Sequence, residues 1–217
     1  MKNFRLFLVV TIFVCLGSFF VLRRQETANA ETAVLEAKQQ MAAASEVALV
    51  EETFVVEDNE DEFVAIDEIE VAEESVVGNV GGHYAEGEMF GLVSYNSIES
   101  ALAVGTTEDT LDGQAMLHSL STPNHLVILG HCYNSGAVFG RLYSNSEVGT
   151  EVVVEDFNGT SVTYVVESKE WVDEETYNTE EFTTNLVLED ESALVLVTCR
   201  KEDGVRGRLI VKCGIAQ

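Results

Sequence analysis

Basic residues are scarce in this chain of 217 residues, where 12 Lys and Arg stand against 38 Asp and Glu and give a formal net charge of -26. A protein with this charge repels the phosphates of nucleic acids and the headgroups of anionic lipids. The composition therefore argues against a nucleic-acid partner.

Cysteine is also rare, and the chain has no CxxC pair and no His/Cys cluster with the ligand spacing of a structural zinc site. The cysteines are too few and too irregularly spaced for the disulfide framework of a small secreted protein. We therefore interpret at least one of them as a reactive thiol. They are Cys15, Cys132, Cys199 and Cys213.

Charge is absent from the segment Leu6–Leu22. With its flanks, this segment reaches about the length of roughly 20 residues that a helix needs to cross a bilayer. A cleaved signal peptide is the alternative, because Lys2 and Arg5 resemble a basic n-region. A pair of arginines nevertheless follows the segment where a small-residue cleavage site is expected. We predict a transmembrane signal-anchor over residues 1–24.

Residues 25–79 contain 16 acidic residues and a single basic one, Lys38. The first half is rich in Ala, Glu and Gln, which favour a helix. The second half mixes acids with Val and Ile and is typical of a self-repelling, extended linker. We predict an acidic stalk or linker over 25–79, with an acidic segment that binds cations or partners as the alternative.

Residues 80–217 contain short apolar runs separated by turn residues, which is the pattern of β-strands. Asn158-Gly159 predicts a hairpin between two of the runs, and short helices are expected near Thr107–Leu111 and Ala137–Leu142. The pattern indicates one mostly antiparallel β-barrel or sandwich. The predicted strands are Met89–Tyr95, Ala101–Val104, His125–Leu129, Glu151–Val154, Ser161–Ser168, Ala193–Thr198 and Arg208–Lys212.

Two of these runs end in a reactive side chain: HLVILGH ends at His131 and ALVLVTC ends at Cys199. A strand that ends in this way presents its last side chain at the rim of a rigid sheet. A thiolate is a strong nucleophile, and an imidazole can accept the thiol proton and later protonate a leaving amine. His131 and Cys199 are thus candidates for base and nucleophile in acyl transfer.

Attack on an amide also creates negative charge on the carbonyl oxygen, which requires a fixed hydrogen-bond donor. Arg208 opens the run RLIV only nine residues after Cys199. Its guanidinium would reach the site from a neighbouring strand if KEDGVRG is the connecting hairpin loop. Arg206 is the closest rival, since it lies two residues earlier on the same face of an extended chain.

The motifs VILGH (Val127–His131), LVLVTC (Leu194–Cys199) and RLIV (Arg208–Val211) occur in this order. They resemble the sortase family, whose catalytic domain has a strand ending in Gly-His, a run L-x-L-x-T-C, and an Arg that opens the final strand. The resemblance covers most of residues 89–213. Cys132 follows His131, at a position where the family has no fixed cysteine, which leaves open a regulatory disulfide or a tolerated small side chain.

The resemblance implies a closed antiparallel β-barrel of about eight strands with short helices over residues 80–217. It implies a cysteine transpeptidase that cleaves an LPXTG-like C-terminal sorting signal of secreted proteins through a thioester. A cell-wall or pilin amine would then accept the acyl group. It also implies catalytic residues His131, Cys199 and Arg208, no organic cofactor or catalytic metal, and a single-pass membrane protein with its catalytic domain outside the cell.

Other interpretations of the same residues remain open. A hydrolytic cysteine protease uses the same dyad, with water in place of the amine. A non-catalytic, membrane-tethered β-barrel binding module would contain Cys199 as a buried structural residue. Among the other histidines, His125 is interpreted as an edge or solvent residue, while His83 and His118 are assigned to loops.

Overall fold

The computed structural model describes residues 21–45, 84–105, 113–119, 121–122 and 124–216. Eight strands close into a barrel in the order β1-β2-β3-β4-β7-β8-β6-β5. The strands are β1 (Met89–Tyr95), β2 (Ile98–Gly105), β3 (Ala115–His118), β4 (Leu126–Gly130), β5 (Glu151–Asp156), β6 (Ser161–Asp173), β7 (Leu194–Glu202) and β8 (Val205–Ile215). The helices are α1 (residues 21–45), α2 (Leu142–Asn145), α3 (Glu174–Tyr177) and α4 (Glu180–Thr184), followed by a π-helical turn, Asn185–Glu189.

Each of the seven predicted apolar runs overlaps a strand, which confirms the mostly β fold and its closed eight-stranded barrel. Alternation is clearest in β5, where every second residue is buried. The sequence did not predict β3, because this strand has only four residues and the first three are all buried, so it shows no two-residue alternation. His118, assigned to a loop, is the last residue of this strand.

Two strand pairs correct the expectation of an antiparallel barrel: β2 and β3 are parallel, and so are β4 and β7. Parallel neighbours require a crossover connection rather than a tight hairpin. Between β4 and β7 the chain forms α2, β5, β6, α3, α4 and the π-helical turn. As a result, β4 and β7 end at the same rim of the barrel.

The predicted hairpin at Asn158-Gly159 is confirmed between β5 and β6. Its turn differs from a tight Asn-Gly turn, because Gly159 has a positive φ of 82° and Asn158 does not. The Asp156 carboxylate instead accepts hydrogen bonds from the backbone N–H groups of Asn158 and Thr160, each at 2.9 Å. A side chain at the strand end thus stabilises this turn.

Two apolar clusters lie on opposite faces of the barrel wall. The interior cluster includes Phe90, Tyr95, Tyr164 and Leu196, and burial of each such side chain contributes about 1.5–3 kcal/mol. The second cluster lies on the outer face of β4, β7 and β8, where Val127, Val195, Val197 and Ile210 pack against Leu186 of the π-helical turn. We call it the outer cluster.

His125 is buried, which corrects its interpretation as an edge or solvent residue. Its ring nitrogens contact two carbonyl oxygens: Nδ1 lies 2.5 Å from that of Ser192, and Nε2 lies 2.9 Å from that of Leu186. The imidazole therefore ties the π-helical turn to the start of β4. It has a structural role and is not part of the rim described below.

Helix α1 contacts the barrel, in contrast to a stalk that stands clear of it. Ala33 and Ala37 are buried and pack with Leu92 of β1 and Ala101 of β2. Residues spaced by four share one face of a helix, and small side chains on that face allow close approach. The Lys38 ammonium also pairs with the Glu99 carboxylate at 2.6 Å. Residues 46–79 of the predicted stalk lie outside the described residues.

No helix within the described ranges combines the length and the apolar character needed to cross a bilayer. The predicted anchor over residues 1–24 lies outside these ranges except for residues 21–24, which belong to α1. The helix expected near Thr107–Leu111 also lies outside them. The helix expected near Ala137–Leu142 forms slightly later in the chain, as α2.

Candidate active site

Cys199 lies on β7 at the point where the strand passes from the buried outer cluster into solvent. Val195 and Val197 belong to that cluster, and Cys199 follows them with the two-residue period that keeps side chains on one face. Its side chain is exposed. The strand therefore presents the thiol at the rim, next to an apolar surface.

Arg208 is the direct cross-strand partner of Cys199 in the antiparallel pair β7–β8. Directly opposed residues of an antiparallel pair share a face. Arg206 pairs with Lys201 instead, two positions further from the outer cluster. The loop expected over KEDGVRG is shorter, because Asp203 and Gly204 alone form the turn, with positive φ values of 49° and 84°.

His131 directly follows β4, whose parallel register pairs Gly130 with Thr198. His131 and Cys199 directly follow these paired residues of β4 and β7, so both lie at the rim. The Thr198 hydroxyl donates a hydrogen bond of 2.7 Å to the Gly130 carbonyl and holds the strand ends together. Glycine is required at position 130, because a Cβ there would meet the Phe139 ring.

Cys199 and Arg208 line a single cavity of about 480 Å³ at this rim. Its wall also contains Cys132, Asn134, Glu174, Arg200, Lys201, Arg206 and Gly207. His131 is not part of this wall; its ring lies beside that of Tyr133, with 5.3 Å between the centroids. Two of the three predicted residues thus share the cavity, and the third follows the adjacent strand.

The Arg208 guanidinium has two contacts with α3. Its Nη1 lies 3.7 Å from a carboxylate oxygen of Glu174, and its Cζ lies 5.0 Å from the centroid of the Tyr177 ring. Burial raises the pKa of Tyr177, while the Arg208 charge lowers it and the Cys199 charge raises it. Helix α3 therefore supplies both a negative charge and an aromatic face to the arginine.

Arg200, adjacent to Cys199 in sequence, contacts a different aromatic ring from Arg208. Its guanidinium Cζ lies 3.2 Å from the centroid of the Tyr143 ring. It pairs across the sheet with Gly207, where a Cβ would meet the Trp171 ring and the Val172 carbonyl. The glycine between Arg206 and Arg208 is thus a consequence of close packing with β6.

The three cysteines within the described ranges are free, and their environments differ. Cys213 is buried in the interior cluster, and burial raises its pKa to about 12. Cys132 is exposed in the cavity wall, where partial burial raises its pKa, the Cys199 charge raises it further, and the Arg200 charge lowers it. Within these ranges, no group of three or more His, Cys, Asp or Glu side chains is arranged to hold a metal ion.

A family model described as the Sortase domain matches residues 93–216, which is more than half of the chain. The chain belongs to the sortase family. This sortase therefore has the fold of a family of cysteine transpeptidases, and the match spans β4, β7 and β8, the strands that form the rim.

Solved sortases of several classes are similar to this sortase. Sortase A of Corynebacterium diphtheriae, in a lid mutant, is 19% identical, with 60% of this chain and 72% of the other covered and a TM-score of 0.48. Sortase D5 of Clostridium perfringens, a transpeptidase, is 19% identical, and the match covers 63% of this chain and 84% of the other, with a TM-score of 0.49. Sortase C1 of Streptococcus agalactiae is 23% identical, and the match covers 58% of this chain and 67% of the other, with a TM-score of 0.46. No curated protein matches the chain.

Sequence reasoning did not identify Glu174 and Tyr177, the residues of this sortase that contact Arg208. A signal for their helix is present, because Asp173 caps α3 by accepting a hydrogen bond of 2.9 Å from the Thr176 N–H. An Asp at the N-cap with acidic residues in the first turn, here Glu174 and Glu175, is typical of a helix start. The signal predicts the helix but not its contact with β8.

Proposed function

We propose that this sortase is a cysteine transpeptidase that cleaves an LPXTG-like C-terminal sorting signal of secreted proteins and transfers the new acyl end to a cell-wall or pilin amine. One observation carries the proposal: Cys199 and Arg208 are cross-strand partners in one cavity wall, and His131 follows the strand paired with that of Cys199. A nucleophile, a cationic donor and a base thus come from three adjacent strands.

In the first half-reaction, the Cys199 thiolate attacks the carbonyl carbon of the Thr–Gly type bond. Arg208 donates hydrogen bonds to the developing oxyanion, and its guanidinium stays charged throughout. Protonated His131 gives its proton to the amine of the leaving tail. The products are a Cys199 thioester and a free C-terminal peptide.

In the second half-reaction, the acceptor amine attacks the thioester carbon. Neutral His131 takes a proton from the amine, and Arg208 again stabilises the oxyanion. Collapse of the tetrahedral intermediate forms the new amide bond and releases the Cys199 thiolate. The enzyme returns to its starting state without a cofactor or a metal.

The outer cluster supports a subsite for the Leu-Pro portion of the signal. Beside it, Phe182 and Leu186 line a second cavity of about 330 Å³. Phe182 and Leu186 form the apolar part of this cavity, and its other lining residues are polar: Glu170, Asn185, Asp190 and Lys212. The segment 172–185, which forms α3 and α4, contributes Glu174 to the first cavity and Phe182 and Asn185 to the second.

The proposal includes a single-pass anchor over residues 1–24 and a catalytic domain over 80–217 on the outer side of the cell membrane. Residues 25–79 would connect the two. Tethering an enzyme close to substrates that emerge from the membrane raises their effective concentration. Support comes from the uncharged segment Leu6–Leu22 and from membership of the family.

The test uses the full chain in detergent micelles, because α1 packs against the barrel. A peptide with an LPXTG-like motif is incubated with wild type and with Cys199→Ala, each with and without an added amine. We expect a new amide product from wild type only. Cleavage to the free acid alone would favour a hydrolytic protease, and absence of cleavage together with a Cys199 inert toward alkylation would favour a binding module.

A further inference from the structure

Cys132 is an exposed thiol for which the proposed reaction has no use. It follows His131 directly and lies in the same cavity wall as Cys199. No sortase motif accounts for a cysteine at this position. The cavity therefore contains two accessible thiols, of which transpeptidation needs one.

The strand register brings these two thiols close together. Gly130 pairs with Thr198 at the last register position of β4 and β7, and Cys132 and Cys199 follow these two residues closely in sequence. Beyond this point both thiols line the same cavity, and a disulfide between them needs about 4.4–6.8 Å between the two Cα atoms.

The backbone at Cys132 is held in place. Cys132 forms a β-bridge with Val138, and the Phe139 N–H donates a hydrogen bond of 3.2 Å to the His131 carbonyl. The influence of the Cys199 charge on the pKa of Cys132 is a second sign that the two sulfur atoms are near each other.

We propose that Cys132 and Cys199 form a reversible disulfide in the presence of a low-molecular-weight disulfide. The bond makes Cys132 a redox modification site that masks the nucleophile. The masking of activity rests on the proposed function, whereas formation of the bond does not.

The chemistry is two thiol–disulfide exchanges. The Cys199 thiolate attacks one sulfur of the small disulfide, whose S–S bond breaks and releases one thiolate that takes a proton from solvent. Cys132 then loses its proton and attacks the Cys199 sulfur, which releases the second small thiol. Two protein thiols are oxidised to one disulfide, and one small disulfide is reduced to two thiols.

The order of the two steps follows from the environments of the thiols. Partial burial and the adjacent Cys199 charge outweigh the Arg200 charge and raise the pKa of Cys132, so little of Cys132 is thiolate before Cys199 reacts. Conversion of Cys199 into a mixed disulfide removes its charge and with it the second of these effects. Cys199 therefore reacts first, and Cys132 resolves the mixed disulfide.

Cys213 serves as an internal control. It is buried within β8, and burial raises its pKa to about 12, so it stays a thiol in the folded protein. Cys15 lies outside the described residues and is replaced by Ser in every sample; in this experiment, wild type means the protein with this substitution alone. Alkylation of Cys213 only after denaturation then reports that the protein remained folded during oxidation.

The full chain in detergent is treated with glutathione disulfide, the remaining thiols are alkylated, and the products are analysed by intact mass and peptide mapping. We expect wild type to lose the mass of two hydrogen atoms, to retain no glutathione and to yield a Cys132–Cys199 linked peptide. A thiol reductant should restore both free thiols and transpeptidation. In Cys132→Ala, we expect a stable glutathione adduct on Cys199.

The proposal is overturned if oxidised wild type retains glutathione on Cys199 while Cys132 can still be alkylated, or if the linked peptide contains Cys213 or joins two chains. It is also overturned if the Cys132→Ala variant loses glutathione from Cys199 as wild type does. These measurements need no turnover. The disulfide can therefore be tested even if the protein shows no transpeptidase activity.

Discussion

Arg208 and Arg206 both line the cavity, yet their surroundings differ at the scale of single side chains. Arg208 lies opposite Cys199 and is braced by Glu174 and Tyr177, whereas Arg206 is exposed and lies opposite Lys201. An oxyanion donor must be fixed in position before the reaction, because reorganisation during the reaction reduces its effect. The braced arginine satisfies this condition better.

Replacement of Arg208 by Ala should therefore reduce kcat by a factor of about 10²–10³, the usual cost of losing one oxyanion donor. Arg206→Ala is the matched control, since it removes an equal charge from the same cavity, and we expect its kcat to stay within a few-fold of wild type. Rates are measured with a sorting-signal peptide and an amine. A larger loss in Arg206→Ala than in Arg208→Ala would reverse the assignment.

Asp190 and Lys212 form the closest ion pair near the outer cluster, with 2.7 Å between Oδ2 and Nζ. Burial raises the pKa of Asp190, but hydrogen bonds from Lys212 and Ser192 outweigh burial and lower the pKa below the ordinary value of 3.8. A carboxyl group with a lowered pKa stabilises the folded state above its unfolded pKa, and this contribution is lost as the pH falls through the folded pKa.

Asp190→Asn should consequently be less stable than wild type at pH 7, by about 1–3 kcal/mol for a hydrogen-bonded charged group. Below the lowered pKa of Asp190 the difference should shrink, because wild type then loses the same interaction. Thermal unfolding of both proteins across this pH range measures the difference. A constant difference in Tm would show that the ion pair contributes no pH dependence.

At the scale of elements, the local sequence pattern predicts strands but not their partners. The alternation in β5 and the apolar run of β7 were sufficient for strand prediction, and Thr198-Cys199 correctly indicated a strand that reaches a rim. Parallel pairing of β4 with β7 could not be predicted in this way, because it depends on a long crossover rather than on residues within either strand. The contact of α3 with Arg208 depends on the same crossover.

The junction of β4 with the following loop illustrates how one residue fixes an element. Gly130 faces the Phe139 ring so closely that a methyl group at position 130 would clash with it. Gly130→Ala should destabilise the protein by about 1–3 kcal/mol through overpacking. It should also lower activity, because His131 is the next residue.

A double-mutant cycle with Phe139→Leu tests the cause. A smaller side chain at position 139 relieves the clash, so the cost of Gly130→Ala should be smaller in that background. Free energies of unfolding are taken from denaturant titrations of the four proteins. Additive costs would mean that the ring does not require the glycine.

At the scale of the whole molecule, α1 joins the acidic N-terminal part of the chain to the barrel. The composition of residues 25–79 indicated a solvated stalk, because net charge dominates any average over this segment. The buried alanines escape such an average, since only their four-residue spacing reveals a packing face. Helix formation was predicted by propensity, whereas docking depends on the complementary surface of β1 and β2.

Docking of α1 can be tested with two substitutions on the same helix. Ala37 is fully buried against the barrel, while Leu35 is 57% exposed. Ala37→Gln should expose α1, because a longer polar side chain cannot fit between helix and sheet without an unsatisfied group. Leu35→Gln introduces the same side chain on the solvent face and should leave α1 docked.

Hydrogen exchange of the full chain in detergent distinguishes these outcomes. In Ala37→Gln, amides of residues 21–45 should exchange faster while those of β4, β7 and β8 keep their protection, because local opening has its own free energy. Leu35→Gln should match wild type in both regions. Unchanged protection of α1 in Ala37→Gln would argue against docking, whereas loss of protection throughout the barrel would make α1 an integral part of the catalytic fold.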